Sequence, residues 1–380
     1  MFGCLDLAGS SVQTCWHALR LCFRREVTEE EKVARSTSAR IDRDLFEHAK
    51  LESHVVKILL LGAAESGKST VVKQIKIIHS HGFSRRELIS FKPAVLDNLL
   101  NSMKFVLWGM GLLRINLANQ RNKDHAQSVL ACDWCTGKDA ELLPFLAQAF
   151  CCLWADQGVR AAAARGYEYQ LNDSALYFFD NIGRIIGPNY VPTETDVLRV
   201  RVRTSGVTET QFCAAQFIFR LYDVGGQCTQ KRKWLRCFDG VRAVLFLVDL
   251  SRYDLRPQQQ DSSTGCIQDS LELYSSILSN TVFSSASLIL IMNKMDLFQE
   301  KILNSGRHLR IYVPDFKGAD RDVSGAAGFL TSLFTEHLTS PAKPLYHHYS
   351  TATDTSCIRD IFQTVMDNVV KDNLANVCTL

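Results

Sequence analysis

The sequence has no apolar run approaching the ~18 residues that a bilayer-spanning helix needs. Its longest, AVLFLV and SLILIM, have the length of buried strands. It also lacks the basic start and long apolar core of a secretory signal, so a cytosolic chain is the default expectation. No basic stripe with interleaved aromatics is present, and a formal net charge of +3 is too small to draw the chain to nucleic acid. No internal repeat and no low-complexity segment is found. Nor is there a second CxxC to complete a zinc site with Cys132 and Cys135 of CDWC. The 13 cysteines are scattered along a long chain, which argues against a disulfide framework and for ordinary thiols.

What is present is ordinary for a globular protein: 46% hydrophobic and 22% charged residues. A length of 380 residues exceeds what one core usually serves, so two domains are expected. Residues 26–50, charged and free of glycine and proline, read as an exposed helix whose sparse apolar positions (Val33, Ile41, Leu45) suit a partner. HVVKILLLG reads as a fully buried strand, and STVVKQIKIIH as an amphipathic helix with Val71, Val72, Ile75 and Ile78 on one face. From about 84 to 195 the β-branched runs vanish and helical periodicity takes over; NDSALYFFDNIGRII opens on an Asn/Asp/Ser cap candidate. From about 207 strands return in QFIFRLYDVGG, RAVLFLVDLS, SLILIMNKMD and LYHHYSTATD, spaced by helical stretches. Alternating strand and helix predicts a mostly parallel sheet with helices on both faces.

Four motifs carry chemistry. Gly62, Ala63, Ala64, Glu65, Ser66, Gly67, Lys68 and Ser69 spell GxxxxGK[ST] between a strand and a helix, the context of a phosphate-binding loop. Its backbone N–H groups form a nest for a β-phosphate, aided by the helix dipole. Lys68 reaches the β and γ oxygens, and the Ser69 hydroxyl ligates Mg2+. In DVGG, Asp223 can hold the metal through water, and the Gly226 N–H can sense a γ-phosphate. In NKMD, Asp296 can accept the N1–H and N2 amino hydrogens of guanine. Adenine lacks that donor pair, which sets aside an ATP-driven machine. In STATD, the Ala352 N–H can bond guanine O6, where adenine carries a donor.

In this order, and with KQIKIIH, EYQLNDSALYF, DVLRVRVRTSGVTET, KWLRCFDGV, SRYDL and PDFKG, the sequence resembles heterotrimeric G-protein α subunits from about residue 28 onward. It is similar to the inhibitory class in places and to other classes elsewhere. The resemblance implies an α/β fold: a Ras-like P-loop GTPase domain, with a mostly parallel six-stranded sheet, interrupted by an inserted all-helical domain. Residues 1–50 would be an N-terminal membrane- and partner-binding helix, 51–83 the first part of the GTPase domain and 84–195 the insert. Residues 196–380 would be its second part, with a receptor-contacting helix at about 354–377. Arg201 of RVRTSG falls at the catalytic arginine and Thr204 at the second Mg2+ hydroxyl. Gln227 falls at the residue that orients the attacking water. A guanidinium so placed stabilises charge in a loose phosphoryl-transfer transition state, for which these α subunits are the standing example. The resemblance also puts Thr70, Leu198, Arg199, Gly225, Asn293 and Lys294 at the nucleotide, with Asp173 and Ser174 of the insert facing it.

The function implied is a signalling switch. It binds GTP or GDP with Mg2+, hydrolyses GTP, and couples a G protein-coupled receptor to an intracellular effector. A βγ dimer is its partner, exchanged for the effector when the segment after Gln227, with Trp234, changes shape. The implied location is the cytoplasmic face of the plasma membrane.

The sequence departs from the family at several positions. Ala64 replaces a glycine of the usual GAGES, Cys228 stands at a usual arginine, and Gln230 at a common glutamate. Ala64 and Cys228 raise an alternative: a GTP-binding interaction protein with little or slow turnover. Phe2 follows the initiator and the first glycine is Gly3, so the myristoylation pattern is not met. Cys4 is the lipidation candidate, by palmitoylation, with Cys15 and Cys22 as secondary ones. Val12, Cys15, Trp16, Leu19, Cys22 and Phe23 share a helical face near Arg20, Arg24 and Arg25, which suits an inner membrane surface. Cys378 lies one residue nearer the end than the toxin-modified cysteine of the inhibitory class, so that modification is not expected.

Overall fold

The computed structural model describes residues 28–133, 144–204, 206–214, 216–225, 238, 240–255, 265–336 and 346–377; of 48–53, 370 and 372–377 it describes the backbone alone. The chain divides into two units, Met1–Val55 and Val56–Leu380. In the first, helix α1 (Glu29–Ser53) opens on Glu29, Glu30 and Glu31, acidic residues that the positive end of the helix dipole favours. Its sparse apolar side chains, Val33, Ile41 and Leu45, are exposed, as expected of a helix that is not part of a core.

The second unit is built on a six-stranded sheet of order β2-β3-β1-β4-β5-β6. The strands are β1 (Val55–Gly62), β2 (Val207–Ala214), β3 (Phe217–Val224), β4 (Val241–Asp249), β5 (Ser287–Asn293) and β6 (Tyr346–Tyr349). β1 with β4, β4 with β5 and β5 with β6 are parallel, while β2 and β3 form an antiparallel pair at one edge. Among the described residues the α-helices in chain order are α2 (Lys68–His79), α3 (Arg85–Ser90), α4 (Lys92–Leu113), α5 (Lys123–Ala131), α6 (Pro144–Ala155), α7 (Gln157–Ala164), α8 (Ala175–Asp180), α9 (Ile182–Ile185), α10 (Glu194–Arg199), α11 (Cys266–Leu278), α12 (Met295–Asn304), α13 (Leu309–Tyr312), α14 (Val323–Thr335) and α15 (Thr355–Val377).

β1 shows no hydrophobic alternation because both of its faces are covered. Val56, Ile58 and Leu60 pack with Val71 and Ile75 of α2 and with Ile358, Phe362 and Val365 of α15. Leu59 and Leu61 pack with Phe246 of β4, Tyr274 of α11 and Phe334 of α14. A third cluster belongs to the helices between α2 and β2: Leu96, Leu99 and Met103 of α4 meet Phe150 and Leu153 of α6 and Phe178 and Phe179 of α8.

Local chemistry divides the helical segment more finely than periodicity does. PFLAQAFCCLWADQGVRAAAA breaks at Asp156, whose carboxylate caps α7 through the Gly158 N–H at 2.8 Å and accepts the Ala118 and Asn119 N–H groups, each at 2.9 Å. Ser174 precedes α8, but its side chain makes no capping bond; Asn172 Oδ1 instead accepts the Ser174 N–H at 2.9 Å. Among the described residues no helix is long and apolar enough to cross a membrane, and no three His, Cys, Asp or Glu side chains could hold a metal. Cys132 forms no disulfide among the described residues; Cys135 lies outside them.

Asp196 fastens the end of the helical segment. Its fully buried carboxylate accepts both Arg184 terminal nitrogens at 2.7 Å, the Tyr177 and Tyr190 hydroxyls at 2.7 and 3.0 Å, and the Thr193 N–H at 2.8 Å. Burial alone would raise its pKa, but these donors outweigh it and hold the group at about 2. At about 1.4 kcal/mol per pH unit, that is on the order of 2 kcal/mol of stability at neutral pH. Asp196→Asn should therefore speed amide exchange across α8–α10 by roughly 30-fold at pH 7. Because the folded-state pKa is depressed, the contribution is complete above about pH 4 and fades as pH falls towards 2, so the two proteins should converge there. Equal exchange at pH 7 would show that the network adds no stability.

Candidate functional site

The loop joining β1 to α2 turns through two left-handed residues. Gly67 has φ of 100°, and a Cβ there would meet Asn293 Nδ2 at 2.2 Å, so glycine is required. Glu65 adopts φ of 67° without being glycine, which costs on the order of 1 kcal/mol. Its carboxylate forms an ion pair with Arg201 and lies 3.6 Å from Arg252. Ala64 is exposed and is not among the positive-φ residues, so the path of the chain does not call for glycine there. The buried Lys68 ammonium donates to the Gly62 and Ala63 carbonyls at 2.9 and 2.7 Å. Burial lowers its pKa to about 8, with the Asp223 charge opposing the shift.

Three oxygen-bearing side chains from distant segments converge just beyond this loop. Ser69 Oγ lies 2.7 Å from Thr204 Oγ1 and donates to Asp223 Oδ2 at 2.5 Å. Asp223 is buried, and its Oδ1 has no hydrogen-bond partner among the described residues. The Gly225 N–H donates to the Gly206 carbonyl at 2.9 Å, continuing the β2–β3 pairing. A Cβ at Gly225 would stand 2.8 Å from the Thr204 carbonyl, so this position too requires glycine. Gly226, Gln227, Cys228, Gln230 and Trp234 lie outside the described residues, as do Cys4, Cys15, Cys22 and Cys378.

NKMD and STATD, the motifs expected to read guanine, meet at Asn293. Its fully buried side chain donates to the Ser66 carbonyl at 2.8 Å and accepts from the Ala352 N–H at 3.0 Å and the Ser350 hydroxyl at 2.9 Å. The Ala352 N–H, expected at guanine O6, is thus engaged by Asn293, and contact with a base requires that this bond be shared or exchanged. Gln74 of α2 donates to the Ala352 carbonyl at 3.0 Å. Asp296 is exposed in the first turn of α12, and Lys294 precedes it with φ of 61°. The Lys294 ammonium lies 2.6 Å from both Asp173 and Asp249. Burial works against its charge, but these two carboxylates outweigh it and raise its pKa.

Asp173 therefore reaches the NKMD loop from the helical segment, next to the buried Ser174. Leu198 is buried, and the Arg199 guanidinium sits over the Tyr177 ring at 4.8 Å. Thr70 lies in the first turn of α2, partly buried. Three contacts near these residues are made by side chains outside the four chemistry-bearing motifs. Lys73 donates to the Val197 and Val200 carbonyls at 2.8 and 3.1 Å, Asn98 bonds the backbone of Arg201, and Arg252 reaches the Ala64 carbonyl at 3.4 Å. Lys73 and Arg252 lie within the family-like stretches KQIKIIH and SRYDL, but neither stretch tells what its side chains touch; Asn98 lies in no such stretch.

Comparison with known proteins bears on what this arrangement serves. A family model described as G-protein alpha subunit matches residues 35–369. A guanine nucleotide-binding protein G(o) subunit alpha of Geodia cydonium is 46% identical over 347 residues, covering 91% of this chain and 96% of its own. A guanine nucleotide-binding protein alpha-1 subunit of Neurospora crassa is 39% identical over 348 residues, covering 92% and 97%. A guanine nucleotide-binding protein subunit alpha of Cryphonectria parasitica matches at the same identity and coverage. With its mostly parallel six-stranded sheet, interrupted in sequence by a run of helices, the chain belongs to the G-protein alpha subunit family of guanine nucleotide-binding signalling switches.

Proposed function

We propose that this chain binds GTP and GDP with Mg2+, hydrolyses GTP, and couples a G protein-coupled receptor to an intracellular effector as the α subunit of a heterotrimer with βγ. The observation that carries the reading is the convergence of Ser69, Thr204 and Asp223 beside the buried Lys68. The donor set suits a hard cation: two hydroxyls, and a buried carboxylate with one oxygen unpartnered among the described residues. Ser69 and Thr204 would hold Mg2+ directly and Asp223 through water; when bound, the ion neutralises charge on the phosphate oxygens. Lys68 supplies the cation for those oxygens, and the loop's backbone N–H groups cradle them. Asp296 reads the guanine edge. Arg201 stabilises the charge of the transition state, and Gln227 orients the water.

The helical segment, residues 84–195 in this reading, covers the nucleotide, so release needs it to part from residues 51–83 and 196–380. Asp173 and Lys294 support this, because their ion pair joins the segment to the guanine-reading loop. α15 would contact the receptor and relay its binding to the Ala352 loop. Residues 1–50 would meet βγ and the cytoplasmic face of the plasma membrane, with Cys4 as the lipidated residue. Turnover is the step on which Ala64 bears. Its methyl lies next to Glu65, the partner of Arg201, and displacement of reacting groups by ~1 Å can cost on the order of 10²-fold in rate. A slow switch is therefore the form of the activity proposed, with an interaction protein of little turnover as its limit.

Two outcomes test this. Asp296→Asn replaces one of the two carboxylate oxygens that would accept the guanine donors with an NH2 group and should weaken GTP binding by roughly 10- to 100-fold in competition with a fluorescent analogue. Xanthosine triphosphate, whose C2 oxygen can accept from the new amide, should gain affinity; unaltered GTP affinity would remove Asp296 from base recognition. Ala64→Gly should leave GTP loading unchanged and raise the single-turnover hydrolysis rate, by up to ~10²-fold. No phosphate release from the fully loaded protein would count against hydrolysis itself, and an equal rate in the two proteins would show that the methyl is accommodated.

A further inference from the structure

Arg201 lies between the end of α10 and Thr204, outside the β2 ladder. Its own peptide groups are nonetheless paired. The Arg201 N–H donates to Asn98 Oδ1 at 3.0 Å, and Asn98 Nδ2 donates to the Arg201 carbonyl at 3.0 Å. The second Nδ2 hydrogen goes to the Ala94 carbonyl, one turn back in α4, at 2.8 Å. All three bonds agree on one amide orientation; a flip would set carbonyl against carbonyl and N–H against N–H. Asn98 thus imitates a rung of a β-ladder for a residue that has none.

Two further observations bear on its purpose. Asparagine is a poor residue for a helix interior, because its side chain competes for backbone groups, and Asn98 sits well inside α4. It is only half-buried, so core packing does not demand it. On the other side of the same stretch, Lys73 of α2 holds the Val197 and Val200 carbonyls. The peptide entering Arg201 is therefore gripped by α2, while Arg201 itself is gripped from the helical segment.

We propose that Asn98 is a positioning residue for Arg201, so that the helical segment governs phosphoryl transfer by holding the arginine's backbone as well as by covering the nucleotide. The proposal rests on the reading of Arg201 as the transition-state cation. It has a mechanical consequence: when α4 moves away, Arg201 loses both backbone bonds together. A segment parted for release is then also one that cannot hydrolyse efficiently.

Single-turnover GTP hydrolysis by the full chain after complete loading tests it. Arg201→Ala must first slow the reaction; a wild-type rate in that variant would sink the reading of Arg201, and the role of Asn98 with it. Given that slowing, Asn98→Ala should load GTP to the same stoichiometry and hydrolyse it roughly 10-fold more slowly. Asn98→Asp keeps the shape and the acceptor for the Arg201 N–H but cannot donate to its carbonyl, so it should slow hydrolysis too and serves where the alanine variant folds poorly. In an Arg201→Ala background, either change at Asn98 should have no further effect. A structural role would instead multiply the losses. Wild-type hydrolysis by both loaded Asn98 variants, or undiminished losses without Arg201, would overturn the proposal while leaving the role of Arg201 intact.

Discussion

The site is organised around one buried side-chain amide. Asn293 ends β5 and bonds at once to the phosphate loop, through the Ser66 carbonyl, and to the loop after β6, through Ser350 and Ala352. Removing it would strand a buried carbonyl and a buried N–H, each costing about 1–3 kcal/mol. Its Nδ2 stands where a Cβ on Gly67 would be, so the glycine of the phosphate loop answers to a residue far away in sequence. Parallel pairing of β5 with β6 sets the register that makes this possible, and the Ser350 N–H extends it to the Met292 carbonyl. Gln74 then ties α2 to the same loop. The loops proposed to recognise phosphate and base are thereby fastened to each other by the protein's own hydrogen bonds, and such preordering lowers the ordering cost of binding.

Two of the five described non-glycine residues with positive φ, Glu65 and Lys294, border that frame, in the loops proposed to read phosphate and base. Such conformations persist where surrounding structure over-determines them. Glu65 is held by Arg201 and Arg252, and Lys294 by Asp249 and Asp173. In each pair one partner lies close in the fold of the sheet domain, at or after β4. The other lies in, or just after, the helical segment. Glu65 and Lys294 are thus two of the points at which the sheet domain meets the helical segment, or the residues just after it, through charge; the Lys76–Glu87 ion pair is another.

Much of this was legible in the sequence, for a physical reason. A phosphate loop, a metal-holding aspartate and a base-reading aspartate each need neighbouring residues at fixed spacing, so they appear as contiguous words. The unbroken apolar run of β1 likewise reports burial on two faces. Contacts such as Asn98 with Arg201, Lys73 with Val197 or Arg184 with Asp196 leave no such mark. They join residues whose separation depends on how the helical segment folds back, and each alone is an ordinary polar residue on a helix or loop. The break at Asp156 leaves no mark of its own, because capping competes with a periodicity that continues through it. The engagement of the Ala352 N–H leaves none either, because backbone donors carry no residue-type signal.

The same distinction explains which departures from the family pattern the fold tolerates. A glycine can be replaced where the backbone follows a path open to L-residues and no atom occupies the Cβ position. Gly67 fails both conditions, and Gly225 fails the second through the Thr204 carbonyl; both remain glycine. Ala64 meets the first, lying exposed on ordinary backbone between the carbonyl that Lys68 holds and the carboxylate that Arg201 holds. Folding and phosphate binding therefore place no demand on position 64. Under the proposed function, what remains for a methyl to disturb is the space that the γ-phosphate, the attacking water and Arg201 would share during turnover. A substitution so placed would separate binding from hydrolysis, and in a switch whose signal lasts as long as its bound GTP, it would act on duration.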